Sequence, residues 1–170
     1  MAVYIDKIKS VALPEQAVSI APTAVLIGQV EIGGNSSVSS NSVIRGDSHS
    51  VVIGSNSTVL ENCFIKDSAP YGVTVGNHVT IGHRSVLQGC TVQDEAVIGA
   101  GVLVMEGASI SSGALIFPGS VVARGTVIPP NSMFMGIPGK IVSNLKYEEV
   151  SEMKKKWMLF EHRDDSLLDI

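Results

Sequence analysis

The fold is decided by residues 92–134, which read VQDEAVIGAGVLVMEGASISSGALIFPGSVVARGTVIPPNSMF. A large apolar residue recurs there every six positions, and the residue two places before each one is small or β-branched. The large residues, called anchors below, are Val92, Ile98, Val104, Ile110, Ile116, Val122, Ile128 and Phe134. A six-residue period fits a short strand and a tight turn, and three such units close a triangular coil of about 18 residues. The stretch therefore predicts a stacked parallel β-helix with the anchors inside the prism.

The same period runs upstream, with three extra residues after Ile44, four extra after Ile65 and one missing after Leu87. The upstream anchors are Ile20, Leu26, Ile32, Val38, Ile44, Ile53, Val59, Ile65, Val75, Ile81 and Leu87. Glycine often follows an anchor, as at Gly33 and Gly54, which predicts a turn there that favours a residue without Cβ. We expect an all-β domain of roughly six coils over residues 1–140, in which each coil bonds to its neighbours.

A different pattern follows the repeat. Residues 135–140, MGIPGK, form a breaker-rich exit. Beyond it, Val150, Met153, Trp157 and Phe160 fall on one face of a helix. We therefore expect residues 141–170 to be a C-terminal α-helix and tail that packs along the prism or on a neighbouring subunit.

Composition excludes several classes of function. The net charge is −4 and no basic stripe is present, so nucleic-acid binding is not expected. No apolar run approaches the roughly 20 residues that cross a bilayer, and the first ten residues show no signal or transit pattern. Cys63 and Cys90 occupy small inward positions of the repeat, and two cysteines are too few for a disulfide scaffold. They indicate a reducing compartment and a packing role.

Three motifs resemble the γ-class carbonic anhydrase family: VIRGD at residues 43–47, VGNHVTIGH at 75–83 with LQGCT at 87–91, and FMGIPGK at 134–140. The resemblance covers roughly residues 10 to 160. It implies a left-handed β-helix and a trimer, formed by one chain or by related chains. It also implies Zn²⁺ or Fe²⁺ held between subunits by three histidines, two from one chain and one from its neighbour, with an open position for water.

The chain departs from the family pattern at the metal. The three ligand positions fall on Lys66, His83 and Gln88, and the helper positions on Thr58, Leu60 and Glu61. A protonated lysine cannot coordinate, and glutamine is a weak zinc ligand. We interpret His83 as a vestigial ligand and expect no cofactor, unless a partner subunit completes a Zn or Fe site. If the alignment slips by one residue, Asp67 replaces Lys66 and an Asp–His–Gln site becomes conceivable.

The other polar residues of interest are expected at a subunit interface or on the surface. In the family, residues at the positions of Arg45 and Asp47 join an interchain network, which implies an interface role here. His49 and His78 are expected on the surface, because one lies in the first insertion and the other at a turn. His162 is expected on the surface of the terminal helix.

Three functions remain open. The first is a catalytically silent structural subunit of a homo- or hetero-trimer, which resembles the subunits on the matrix side of mitochondrial complex I. The second is an active γ-type carbonic anhydrase with an altered metal site, and the third is a hexapeptide acyltransferase. The resemblance leaves the compartment open between the mitochondrial matrix side and the cytoplasm.

Overall fold

A computed structural model describes residues 3–5, 12, 13, 17–144, 146, 148, 149, 151–153 and 155. Val150, Trp157, Phe160 and His162 lie outside these residues. Within the described part the chain is almost entirely short strands joined by turns. In chain order they are β1 (Val3–Ile5), β2 (Ser19–Ile20), β3 (Val25–Ile32), β4 (Ser37–Val38), β5 (Val43–Ile53), β6 (Thr58–Val59), β7 (Phe64–Lys66), β8 (Val73–Val75), β9 (Thr80–Ile81), β10 (Val86–Gln88), β11 (Thr91–Val92), β12 (Val97–Ile98), β13 (Leu103–Val104), β14 (Ser109–Ile110), β15 (Leu115–Ile116), β16 (Val121–Val122), β17 (Val127–Ile128), β18 (Ser132–Gly136) and β19 (Gly139–Asn144).

These strands stack into the three faces of a prism of about six turns. Face 1 contains β1, the first halves of β3 and β5, then β7, β10, β13 and β16. Face 2 contains the second halves of β3 and β5, then β8, β11, β14 and β17. Face 3 contains β2, β4, β6, β9, β12, β15, β18 and β19. Pairing along the stack is parallel except between β18 and β19, and the fold is the left-handed hexapeptide β-helix that the sequence predicts.

The anchors form one continuous core along the prism axis. Every anchor from Leu26 to Phe134 is buried, and Ile20 packs half-buried against the end of the core. The small residues two places earlier fill the space beside them. Burial of this aliphatic column removes a large apolar area from water and is the main force that holds the coils together. Few aromatic residues contribute to it.

Inward-facing serines satisfy backbone groups that the corners of the prism leave unpaired. The Ser42 hydroxyl donates to the Leu60 carbonyl at 2.8 Å and accepts from the Cys63 N–H at 3.1 Å. Cys63 occupies the same position one coil further on, where its thiol lies 3.2 Å from the Gly82 carbonyl. Both cysteines are buried thiols, and burial raises the pKa of the Cys90 thiol to about 12. This agrees with the packing role expected for them.

The structure confirms that the position after an anchor favours a residue without Cβ, and close packing is the reason. The glycines that follow anchors do not carry the left-handed backbone. That backbone lies three residues after the anchor, at Asn35, Asn41, Asn56, Asn62, His78, Arg84, Glu95, Gly101, Gly107, Gly113, Gly119, Gly125 and Asn131. The glycines after anchors have another function. A Cβ at Gly99, for example, would lie 2.6 Å from the backbone nitrogen of Pro118, so the next coil leaves no room for a side chain.

The C-terminal part leaves the prism through an antiparallel hairpin. β18 and β19 pair from Ser132–Asn144 to Gly136–Gly139, so the last strand runs beyond residue 140. Residues 148, 149, 151–153 and 155 are helical, and Met153 packs with Met133 against the buried Val97 and Leu115 of face 3. Among the described residues, no helix is long and apolar enough to cross a membrane.

Candidate functional site

Lys66 and Gln88, which occupy two predicted ligand positions, lie side by side on face 1. The parallel pairing of β7 with β10 puts them directly opposite each other, and Arg45 of β5 is the next residue in the same column. Neighbouring strands are about 4.8 Å apart, so the three side chains leave one edge of the face close together. Lys66 and Gln88 are half-buried, whereas Arg45 is exposed.

His83, at the remaining ligand position, lies at the opposite edge of face 1 beside Glu61 of the previous coil. Its Nδ1 is 2.7 Å from Glu61 Oε2, and the two side chains are 36 % and 43 % exposed. The Oε2 atom is itself buried and accepts no well-directed hydrogen bond within the described residues. The contact leaves Nε2 as the imidazole nitrogen that can meet a further group.

One copy of the chain does not bring the three positions together. His83 and Gln88 belong to the same coil, but the four residues between them carry the chain from one edge of face 1 to the other. In the part of the chain that the structure describes, no group of three His, Cys, Asp or Glu side chains could hold a metal ion. The side chains at 66, 83 and 88 also do not fit a three-nitrogen centre, because an ammonium repels a dication.

Asp67, the residue that an alignment slip would place at the first ligand position, has a structural function. It is 4 % exposed, and its carboxylate accepts hydrogen bonds from three successive backbone N–H groups, those of residues 47, 48 and 49, at 3.0–3.1 Å. Burial by itself would raise the pKa of Asp67, but these hydrogen bonds and the nearby Lys66 charge lower it below its ordinary value. Asp67 therefore holds the first insertion in place, and Lys66 is the residue that faces outward.

Arg45 and Asp47 form an exposed ion pair within the chain. Arg45 Nε donates to both carboxylate oxygens of Asp47, at 2.8 and 2.6 Å. The side chains are 49 % and 42 % exposed. Their role at an interchain interface stays a prediction.

His78 and His49 lie in different environments. His78 is exposed at a left-handed turn, as expected. His49 is half-buried and lines a groove of about 620 Å³ at the corner between faces 1 and 2, together with Tyr71 and Thr91. Its Nδ1 lies 3.7 Å from Asp67 Oδ2, which is too far for a hydrogen bond.

Sequence reasoning missed an apolar stripe that runs along face 1. The residue just before each anchor of this face points outward, and strand pairing aligns these residues into one continuous column of half-buried side chains. They are Val25, Val43, Phe64, Val86, Leu103 and Val121. The corresponding residues of face 2, such as Thr74, Thr91 and Ser109, are mostly polar. The signal was present in every third repeat, but only the assignment of repeats to faces makes it visible.

Comparisons with known proteins agree with this architecture. The chain is 43 % identical over 150 residues to a "Probable carbonic anhydrase" of Methanocaldococcus jannaschii, covering 88 % of this chain and 94 % of that protein. It is 33 % identical to gamma carbonic anhydrase 2, mitochondrial, of Arabidopsis thaliana over 81 % of this chain, and it spans about half (52 %) of that relative's length. A crystal structure from Bacillus cereus described as a "putative acetyltransferase" has a TM-score of 0.86 and 32 % identity, with 94 % and 92 % of the two chains covered. No family model matches the chain.

The stacked three-sided coils of six-residue repeats thus define a hexapeptide-repeat β-helix protein. Within that class, the similarity to carbonic anhydrases over nearly the whole chain shows the family. The chain belongs to the γ-class carbonic-anhydrase-like family.

Proposed function

We propose that this chain is a structural member of its family, which assembles with copies of itself and does not hydrate CO₂. The observation that carries the proposal is the pairing of Lys66 with Gln88 at one edge of face 1. These are the positions that the resemblance assigns to two of the three metal ligands. An ammonium and an amide cannot replace two imidazoles, so the water activation that a metal would supply has no centre.

The apolar stripe on face 1 supports self-assembly. Face 3 is covered near its C-terminal end by Met153, and face 2 is mostly polar, which leaves face 1 as an extended apolar surface without a cover among the described residues. Contiguous apolar patches of this kind mark interaction sites, because their burial in a partner removes them from water. A ring of three copies would place one edge of face 1 against the opposite edge of the next copy.

The partner that we propose is a second copy of this chain. A hetero-trimer with related chains, which could supply the missing histidines, is the competing arrangement. Membership of mitochondrial complex I is a more specific version of the hetero-trimer hypothesis. The Arabidopsis relative supports it only in that it is a mitochondrial protein. Purification from the native source with mass spectrometry of the co-purifying chains separates these arrangements.

The functional test begins with the purified chain. We expect a trimer by light scattering and native mass spectrometry, metal well below one ion per trimer, and CO₂ hydration at the uncatalysed rate. Stoichiometric Zn or Fe in the wild-type protein, or hydration above the background rate, would show an active altered site. A monomer at micromolar concentration would contradict the assembly.

A pair of variants then tests whether the ligand set is what silences the site. Lys66→His combined with Gln88→His restores two imidazoles beside each other, and with His83 of a neighbouring copy it should take up zinc. Gln88→His alone is the matched control, because it adds an imidazole but keeps the lysine charge. The proposal is wrong if the single variant binds zinc as well as the double variant does.

Acyl transfer is a second candidate function, and one observation favours it. The groove of about 620 Å³ beside His49 is open and lined by hydroxyl groups, and the Bacillus cereus structure carries an acetyltransferase description. Titration with coenzyme A and acetyl-CoA, followed by calorimetry, tests this candidate. Absence of binding at millimolar concentration removes it, and binding that His49→Ala abolishes supports it.

A further inference from the structure

Lys66 is a half-buried cation that makes no ion pair within the described residues. Hydrogen bonds are the main cause that lowers the pKa of Asp67 and of Glu106, and the Lys66 charge adds a smaller effect in the same direction to both. No ion pair within 4 Å joins Lys66 to either carboxylate. Asp67 binds three backbone N–H groups, and Glu106 accepts the Ser68 hydroxyl at 3.2 Å. Lys66 therefore lies at the edge of the apolar stripe without a close ion-pair partner among the described residues, and Asp67 and Glu106 act on its charge only at longer range.

The complementary charge lies at the other edge of the same stripe. Glu61 is in the same coil as Lys66, on the far side of Phe64, and its buried Oε2 contacts His83 alone among the described polar groups. The two charged positions are five residue steps apart along the chain, at about 3.3 Å for each step. Lys66 and Glu61 of one copy thus stand at one coil level but at opposite ends of face 1.

We infer that Lys66 of one subunit pairs with Glu61 of the next, so that an ammonium occupies the place where relatives would hold a metal ion. This inference rests on the proposed self-assembly. Rotation about an axis parallel to the stack keeps each coil at its own level, so the Lys66 edge of one copy meets the Glu61 edge of its neighbour. Burial of either charge without a partner would oppose assembly.

The chemistry of Lys66, Glu61 and Gln88 is consistent with an ammonium in the place of a metal ion. A lysine ammonium has three N–H donors. Glu61 of the neighbour supplies a carboxylate, and Gln88, opposite Lys66 on the next strand, supplies an amide oxygen at the same edge. His83 lies beside the carboxylate, with its Nδ1 2.7 Å from Glu61 Oε2. The assembly then needs no dication at this point, because one positive and one negative side chain compensate each other.

A charge exchange tests the pair in the full chain. Lys66→Glu and Glu61→Lys should each raise the concentration at which the assembly dissociates by at least about tenfold, since each leaves like charges in contact. The double variant, Lys66→Glu with Glu61→Lys, should restore assembly. Glu31→Lys and Lys140→Glu, on the other two faces, are matched controls that should leave assembly unchanged. Circular dichroism and Tm establish that every variant keeps the β-helix.

Mixing experiments distinguish a pair between subunits from a pair within one chain. The double variant should form its own trimers but should not co-assemble with wild-type chains, because the glutamate introduced at position 66 would then meet the wild-type Glu61. Free mixing by native mass spectrometry, single variants that assemble like wild type, or a double variant that is not restored would each overturn the inference. In those cases a trimeric wild type would still support the proposed function, whereas a monomeric wild type would defeat both.

Discussion

The carboxylate of Asp67 accepts a hydrogen bond from the backbone N–H of Ser48 at 3.0 Å, across two successive coils. The same carboxylate binds the N–H groups of Asp47 and His49. One buried side chain therefore organises the first insertion of the repeat. It also fixes which residue of the 66–67 pair faces outward.

Asp67→Asn should lower the free energy of unfolding at neutral pH. The amide has one acceptor oxygen in place of two, and its NH₂ group would face an N–H donor, so the loss should be about 1–3 kcal/mol. Thermal or urea denaturation measures it. Asp94→Asn is the control, because the exposed Asp94 accepts the Asn77 N–H through one oxygen, which an amide can also do. Equal losses in both variants would contradict the structural role of Asp67.

The same contact predicts a pH dependence. The pKa of Asp67 is lower in the folded chain than its ordinary value of 3.8. Its stabilising contribution is therefore complete above that value and is lost as the pH falls through the folded-state pKa. The difference in stability between wild type and Asp67→Asn should shrink as the pH is lowered below 3.8. A difference that stays constant down to the acid transition would count against this account.

Cys63→Ser should change stability little, because Ser42 and Ser85 occupy the equivalent corner in the adjacent coils and bond to the backbone there. Cys63→Leu should cost about 1–3 kcal/mol through overpacking of the same slot.

Thiol labelling provides a second measurement. Buried Cys90, whose pKa is about 12, should react with iodoacetamide only after unfolding. Rapid labelling of the native protein would contradict the packing.

Substitutions at two glycines distinguish the two reasons for which the fold uses glycine, close packing and backbone conformation. Gly99→Ala should destabilise the fold strongly, because its Cβ would lie 2.6 Å from the Pro118 nitrogen. Gly119→Asn should be nearly neutral, because position 119 has open space and a left-handed φ of 70°. Asparagine adopts such a backbone at the equivalent turns of other coils, as at Asn41. Differential scanning calorimetry of the two variants checks the contrast, and a reversed order would contradict it.

Phe64→Glu should prevent self-assembly and leave the β-helix folded. The substitution puts a charge in the middle of the apolar stripe, where association would have to desolvate it. Sedimentation velocity measures the change. Val127→Glu is the matched control, since Val127 is 67 % exposed on face 2 and should not affect association. Loss of assembly in both variants would remove face 1 as the interface.

The predicted ligand positions show how much of the candidate site could be predicted from the sequence. Counting along the chain placed Lys66, His83 and Gln88 at the predicted site, and the structure shows how Lys66 and Gln88 pair in register. The contact between Glu61 and His83 could not be predicted, because 22 positions separate them and the coil between contains four extra residues. The stripe on face 1 was hidden for a related reason, since its members recur only once in each coil.

The amino-acid sequence by itself determined the inside of this protein. A six-residue period is local, so every anchor indicates its own inward direction and the coils follow from burial of those side chains. The tertiary structure alone decided what the outside presents. The neighbours of an outward side chain belong to other coils, and the insertions and the one deletion between coils set which residues meet. Assembly and site chemistry depend on those meetings, and therefore on register rather than on local pattern.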